Sequence, residues 1–191
     1  LLAFLATGNT STRGPYRSQV SAALRYLLER VSPPDAPDPG YIHDEGDVLS
    51  AMHGHGLATL ALAEAYGMSP DRELEIGTAL VAAVQCIERA QALEGGWYYT
   101  PRATSEHEGS VTVCLVQALR AAKDAGVHVD AIRIANAVQY LKRLQQENGA
   151  FAYGLGLPDK TSAALTAAGL ATLHATGVYA GHEVDDAYDW L

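Results

Sequence analysis

At 191 residues, with 48% hydrophobic and 18% charged side chains, the chain can bury a sizeable core and is not a disordered polymer. Its 13 basic residues stand against 22 acidic ones, a net charge of −9, which argues against nucleic acid and anionic membranes as partners. No apolar run approaches the ~18 residues of a bilayer-crossing helix, so no transmembrane segment is expected, and no signal peptide is visible.

The chain opens on Leu1 rather than Met, already within a helical pattern, so further residues are expected upstream. That first helix closes at Ala6-Thr7-Gly8, because a glycine just past an apolar run is a helix stop that accepts positive φ. A first unit spans about 17–67 and carries Ala23, Tyr26 and Leu27 in the order Ala-x-x-aromatic-Leu. A Pro-rich loop (Pro33, Pro34, Pro37, Pro39) leads into Gly40-Tyr41-Ile42 and is expected to be exposed and irregular. Asp44, Glu45 and Asp47, with His43 nearby, lack the spacing of a calcium loop and read as solvated charge. An apolar helix at about 56–63 then runs to a stop at Ala65-Tyr66-Gly67.

The second unit covers about 70–126. Ser69 is placed to cap it and Pro70 suits a first helical position. Ala83, Cys86 and Ile87 repeat the earlier spacing, and Gln91, Gly95 and Trp97 follow as Gln-x3-Gly-x-Trp. An apolar helix at 111–119 ends before Ala125-Gly126. The third unit covers about 130–177, with Asp130 as cap, an amphipathic run Ile134, Val138, Leu141, and Ala137-x-x-Tyr140-Leu141. Gln145, Gly149 and Phe151 repeat the signature 54 positions on, and a second apolar helix at 163–173 ends before Thr176-Gly177. Ala187, Trp190 and Leu191 begin another unit. The four starts are spaced by 60, 54 and 50 residues.

Self-similarity at this period means a repeat architecture, and every unit reads as two helices, so the fold class is all-α. In each unit the amphipathic helix belongs outside and the helix without a polar face belongs inside, buried all round. In the loop between them glycine allows the turn. The aromatic covers the helix end, and the glutamine amide satisfies orphan backbone groups there. Val31 stands where the first unit would have its glutamine. Cys86 and Cys114 have no metal-ligand spacing and read as reduced, packed thiols.

Gln-x3-Gly-x-Trp after Ala-x-x-aromatic-Leu resembles the QW repeat of squalene–hopene and oxidosqualene cyclases, and the looser repeat of protein prenyltransferase β subunits. Gly54-His55-Gly56 to Tyr66-Gly67, and Gly95-Gly96-Trp97-Tyr98-Tyr99, are similar to bacterial prenyltransferase/squalene oxidase repeat proteins. The resemblance implies an α/α toroid of helical hairpins around an apolar cavity, closing in the family with about six hairpins. Three complete hairpins make this chain a partial ring. Exposed inner-helix edges would then meet further repeats or a second copy, and the cavity would take an isoprenoid or lipid-like ligand.

The family's chemistry can be tested at the inner-helix starts. The cyclases place a DxDD proton-donor box there, since protonating an alkene needs a carboxylic acid sharpened by neighbouring carboxylates. The aligned starts read Ala51-Met52-His53-Gly54, Glu108-Gly109-Ser110-Val111 and Ser162-Ala163-Ala164-Leu165. Only Glu108 keeps an acid. The prenyltransferases hold zinc through Asp-x-Cys and a distant His, but Thr112 precedes Cys114 and Val84 precedes Cys86. The Cys-Gly-Glu-Gln run of the related thioester proteins is absent too. No metal and no cofactor is expected. Candidates for a cavity or its mouth are His53, His55, Tyr99, His107, Glu108 and Tyr153. Gln91, Gly95, Trp97, Gln145, Gly149 and Phe151 are assigned to structure. The residues favour a non-catalytic scaffold that binds a hydrophobic ligand or a partner. The alternative is part of a terpenoid cyclase or prenyltransferase whose catalytic box lies outside this chain.

Overall fold

The computed structural model describes residues 1–44, 46 and 51–191. Among the described residues it holds eight α-helices and no strand. These are α1 (Leu2–Ala6), α2 (Arg17–Leu28), α3 (Ala51–Ala65), α4 (Glu73–Ala90), α5 (Gly109–Asp124), α6 (Ala131–Leu144), α7 (Ala163–Ala175) and α8 (His182–Trp190). The fold is all-α.

Local chemistry sets the helix ends. Asp130 caps α6 by accepting from the Ile132 N–H at 2.9 Å, and Gly8, Gly67, Gly126 and Gly177 stop helices at φ of 79, 78, 92 and 93°. The start of α4 differs from expectation. Ser69 does not cap it. Residues 69–72 close a turn in which the Arg72 N–H donates to the Ser69 carbonyl, and the helix begins only at Glu73. Glu73 and Glu75 in the first turn and Arg89 in the last then suit the helix dipole.

Packing sorts the helices into two rows. α1 lies on α3, α3 on α5 and α5 on α7, while α4 and α6 cover the flanks of this row, α2 packs on α4 and α8 on α7. α3 and α5 run parallel: His53 meets Ser110 near their starts, and Gly56 faces Cys114 and Leu115 a turn further on. Met52 and Leu62 of α3 and Leu115 and Leu119 of α5 are fully buried. α7 departs from burial all round, for Ala163, Ala164, Ala167 and Ala171 are exposed. Apolar sequence permits burial, but only a neighbour supplies it, and α7 has an inner-row neighbour on one side among the described residues.

The signature loops fasten each unit to the next. The Gln91 side-chain amide donates to the Gly95 carbonyl of its own loop at 2.8 Å and to the Arg133 carbonyl of α6 at 2.9 Å. Gln145 does the same, to Gly149 at 3.1 Å and to Glu183 of α8 at 2.8 Å. The glutamine thus acts between units, not on orphan groups of its own helix. That task falls to Trp97, whose indole N–H donates to the Ile87 carbonyl in the last turn of α4 at 2.8 Å. Arg89 and Arg143 repeat a further tie, donating to the Pro39 and Glu94 carbonyls of the preceding loops.

Gly95 stands at φ 94°, and a Cβ there would run into the Asn136 carbonyl of α6. Gly40 and Gly149 meet the Ala82 and Asp186 carbonyls in the same way. The first unit therefore keeps the glycine joint although Val31 has replaced its glutamine. Gly95→Ala carries both the strain of positive φ and a backbone collision. It should lower stability by about 2–4 kcal/mol in urea unfolding, whereas Gly67→Ala, with nothing within 4 Å of its Cβ, should lose only the strain.

Candidate functional site

The starts of α3 and α5 and the two loops beside them bring a polar cluster together. Glu108 is 1% exposed and serves as N-cap of α5. One carboxylate oxygen accepts from the Val111 N–H and the other from the Ser110 N–H at 2.9 Å. The Ser110 hydroxyl also donates to Glu108, at 2.8 Å. With that hydrogen committed, His53 Nε2–H is the donor across to Ser110 Oγ, 2.9 Å away. His53 Nε2 is 3.9 Å from the nearer Glu108 oxygen.

Two tyrosines complete the cluster. Tyr99 and Tyr153 lie 54 residues apart at equivalent places after the two signatures, and their hydroxyls meet at 2.5 Å. The Gly109 N–H donates to the Tyr153 carbonyl at 2.7 Å, tying this second loop to the start of α5. The rings of His53 and Tyr99 are 5.6 Å apart, and Tyr98 sits edge-on to Tyr99 at 4.9 Å. The bond to Tyr153, followed by burial and the Glu108 charge, holds the Tyr99 hydroxyl above its ordinary range. Burial and then Glu108 likewise push the Cys114 thiol up, so it is no ready nucleophile. Cys86, pushed up to about 11 mainly by burial, is inert as well.

Of the six cavity or mouth candidates, His53, Tyr99, Glu108 and Tyr153 come together. His107 turns to α6, its Nδ1 3.0 Å from the Tyr140 hydroxyl and its ring edge-on to that tyrosine. His55 is fully buried, and its Nδ1 accepts the Ile42 N–H at 3.0 Å. The repeat explains this. Trp97 N–H donates to Thr112 Oγ1 and Phe151 N–H to Thr166 Oγ1, each at 3.0 Å. His55 occupies the threonine's place in the first unit and pins its loop to α3. Ser110, which joins His53 to Glu108, is not among the sequence candidates. The alignment of inner-helix starts, which sets it opposite His53, is the signal that finds it.

The acidic loop is settled in part. Asp44 pairs with Arg30 Nε at 3.1 Å and accepts from the Tyr26 hydroxyl at 3.0 Å. The Arg30 bond, first among several, holds its carboxyl below the usual range. Glu45 and Asp47 lie outside the described residues.

The contact of Ser110 Oγ with His53 Nε2 is half of a nucleophile–base pair. Two features oppose acyl transfer. The Ser110 hydrogen goes to Glu108, and the first N–H groups of α5, which could stabilise an oxyanion, are taken by the same Glu108. Among the described residues no three His, Cys, Asp or Glu side chains gather as a metal set. The cluster is a hydrogen-bond lattice with an aromatic rim.

Two measurements follow from this geometry. Glu108→Ala removes an N-cap and should cost about 1–2 kcal/mol in thermal unfolding, while His53→Ala, which breaks only the outer link, should cost less than half as much. His55 is held near pKa 4 by burial, below its ordinary 6.5. The unfolded chain then binds the extra proton between these values. Stability should be full above pH 6.5 and should fall by about 3 kcal/mol as pH drops to 4. His55→Thr, which installs the residue of the other units, should remove that slope even though its smaller side chain lowers stability throughout.

No protein-family model matches this chain, and no curated protein matches it in sequence. The chemistry of the cluster therefore rests on its own atoms.

Proposed function

We propose that the chain is a repeat scaffold of the squalene cyclase and prenyltransferase kind, part of an α/α toroid. It binds an isoprenoid or lipid-like ligand without transforming it. The observation that carries this reading is the state of Glu108. It is the one acid at the three aligned inner-helix starts, and both of its oxygens are occupied as acceptors from the first turn of α5. A cyclase acid must aim a proton at an alkene, and this carboxylate faces its own helix. A prenyltransferase zinc site would need an acid where Thr112 stands, and Thr112 instead accepts from the Trp97 N–H.

The binding half of the reading rests on the rim. Tyr98, Tyr99 and Tyr153 are only partly buried and stand together beside His53, giving aromatic faces with hydroxyl tips. Such a surface suits an apolar chain ending in a hydroxyl or other small polar head. Solvent extraction of the purified protein followed by mass spectrometry should release a prenyl or acyl lipid. Added geranylgeraniol should bind, and Tyr99→Ala and Tyr153→Ala should each weaken it roughly three- to tenfold. Turnover of squalene or geranylgeranyl diphosphate that disappears in Glu108→Gln, with folding intact by circular dichroism, would overturn the proposal in favour of an enzyme.

A further inference from the structure

The first unit lacks the glutamine that the second and third place between loop and outer helix, and the backbone shows which atoms that leaves over. The Ser32 N–H donates to the Tyr41 carbonyl and the Gly40 N–H to the Ser32 carbonyl, each at 2.9 Å, as Ala92 does to Gly96 and Gly95 to Ala92. Val31 pairs with Ile42 as Gln145 pairs with Phe151. Gly40 meets the Ala82 carbonyl as Gly95 meets that of Asn136. Val31 therefore holds the place of Gln91, Gly40 that of Gly95, and Ala79 that of Arg133.

In the second unit one amide nitrogen, that of Gln91, donates to the Gly95 and Arg133 carbonyls, and in the third Gln145 donates to those of Gly149 and Glu183. Among the described residues no side chain donates to the carbonyl of Gly40 or of Ala79. Where the other units have a filled joint, the first has a groove of about 740 Å³ with Val31, Gly40 and Ala79 in its wall. Leu28, Pro33 and Leu74 give it apolar sides. Gln85, on the turn of α4 after Ala82, lines it too, and its side-chain amide makes no hydrogen bond among the described residues. The groove is walled by the loop of the first unit and the outer helix of the second, which already meet, so it is not a joint awaiting another repeat.

We propose that this groove binds a small apolar molecule with a primary carboxamide head. The NH2 group donates to the Gly40 and Ala79 carbonyls in place of the missing glutamine amide, and the amide oxygen accepts from Gln85. The hydrocarbon part lies against Leu28, Pro33 and Leu74. The site shares no residue with the tyrosine cluster, so it does not rest on the isoprenoid reading.

Nuclear magnetic resonance of the isotope-labelled whole chain, titrated with 4-phenylbutanamide to roughly 5 mM, tests this. The backbone signals of Ser32, Gly40 and Gln85 should shift and saturate. The N,N-dimethyl amide keeps the carbon skeleton but has no N–H, and should bind roughly tenfold more weakly. Val31→Gln supplies the repeat's own amide and should abolish binding while circular dichroism stays as in the parent. Leu74→Glu changes a residue that is 84% exposed, so the fold should hold, and it should weaken binding roughly threefold or more by removing an apolar wall. Absence of saturable shifts, equal binding of the dimethyl amide, or binding that Val31→Gln leaves intact would each overturn the proposal. Tighter binding of 4-phenylbutylamine would overturn it in favour of an ammonium site. Shifts of the same signals on concentrating the chain alone would give the groove to a second copy instead. Failure of geranylgeraniol to bind would leave all these outcomes unaffected.

Discussion

The structure depends on one joint, the seat of each signature loop on the following outer helix. Gly40, Gly95 and Gly149 bring their loop backbone against the Ala82, Asn136 and Asp186 carbonyls. Where glutamine is present, its amide adds a bond across the same gap, from Gln91 to Arg133 and from Gln145 to Glu183. A helical hairpin cannot bury both of its faces alone. The joint sets the angle and distance at which the next hairpin covers the first, and the inner helices then meet at fixed register. His53 reaches Ser110, and Tyr99 reaches Tyr153, because the joint returns equivalent residues to neighbouring places. The candidate site is a consequence of the repeat, assembled from the same positions of successive units.

A second bond, inside each unit, shows how much chemistry the frame tolerates. The loop N–H after the signature glycine needs an acceptor on the inner helix, since a buried unpaired N–H is costly. Thr112 and Thr166 supply hydroxyls, and His55 supplies an imidazole nitrogen. The geometry survives the exchange, but the consequences differ. Threonine is neutral at every pH. The imidazole accepts at Nδ1 only while unprotonated, so this bond of the first unit is acid-sensitive where the two threonine bonds are not. The same unit has lost its glutamine and gained a longer Pro-rich loop. Its loop is still closed by a bridge between Val31 and Ile42 and tied by Arg89 to Pro39.

Much of this was legible in the residues. Helix stops at Gly8, Gly67, Gly126 and Gly177, the cap at Asp130 and the pairing of amphipathic with apolar helices rest on local rules that tertiary structure did not override. Ser69 shows the limit. Ser-Pro followed by acidic residues satisfies the pattern of a helix start, and a hydrogen-bonded turn satisfies the same residues equally well. His53 and His55 show another. Two apart on a helix, they point to different neighbours, one to α5 and one to the Ile42 loop, and nothing in their spacing tells which is buried. Ser110 could be found only by register, because a serine in a helix's first turn is ordinary on its own. The exposure of α7 is not a property of its sequence, for an apolar helix is written the same way whether or not its neighbour is present.

The inner-helix start is where the frame and any chemistry compete for the same residue. Four N–H groups there lack partners within the helix, and Glu108 and Ser162, at equivalent positions, both answer that demand with side-chain oxygens. For an acid at such a start to act as a proton donor, further carboxylates would have to stand close by to keep one of them protonated and free of capping duty. Gly109 and Ser110 follow Glu108 instead, and Ser110 adds a third donor to the carboxylate. Once a lone acid stands at that position, the helix claims it. The link from His53 through Ser110 to Glu108 then works as a strut between α3 and α5. The partly exposed tyrosines stand around that strut, with Tyr99 and Tyr153 tied to each other through their hydroxyls.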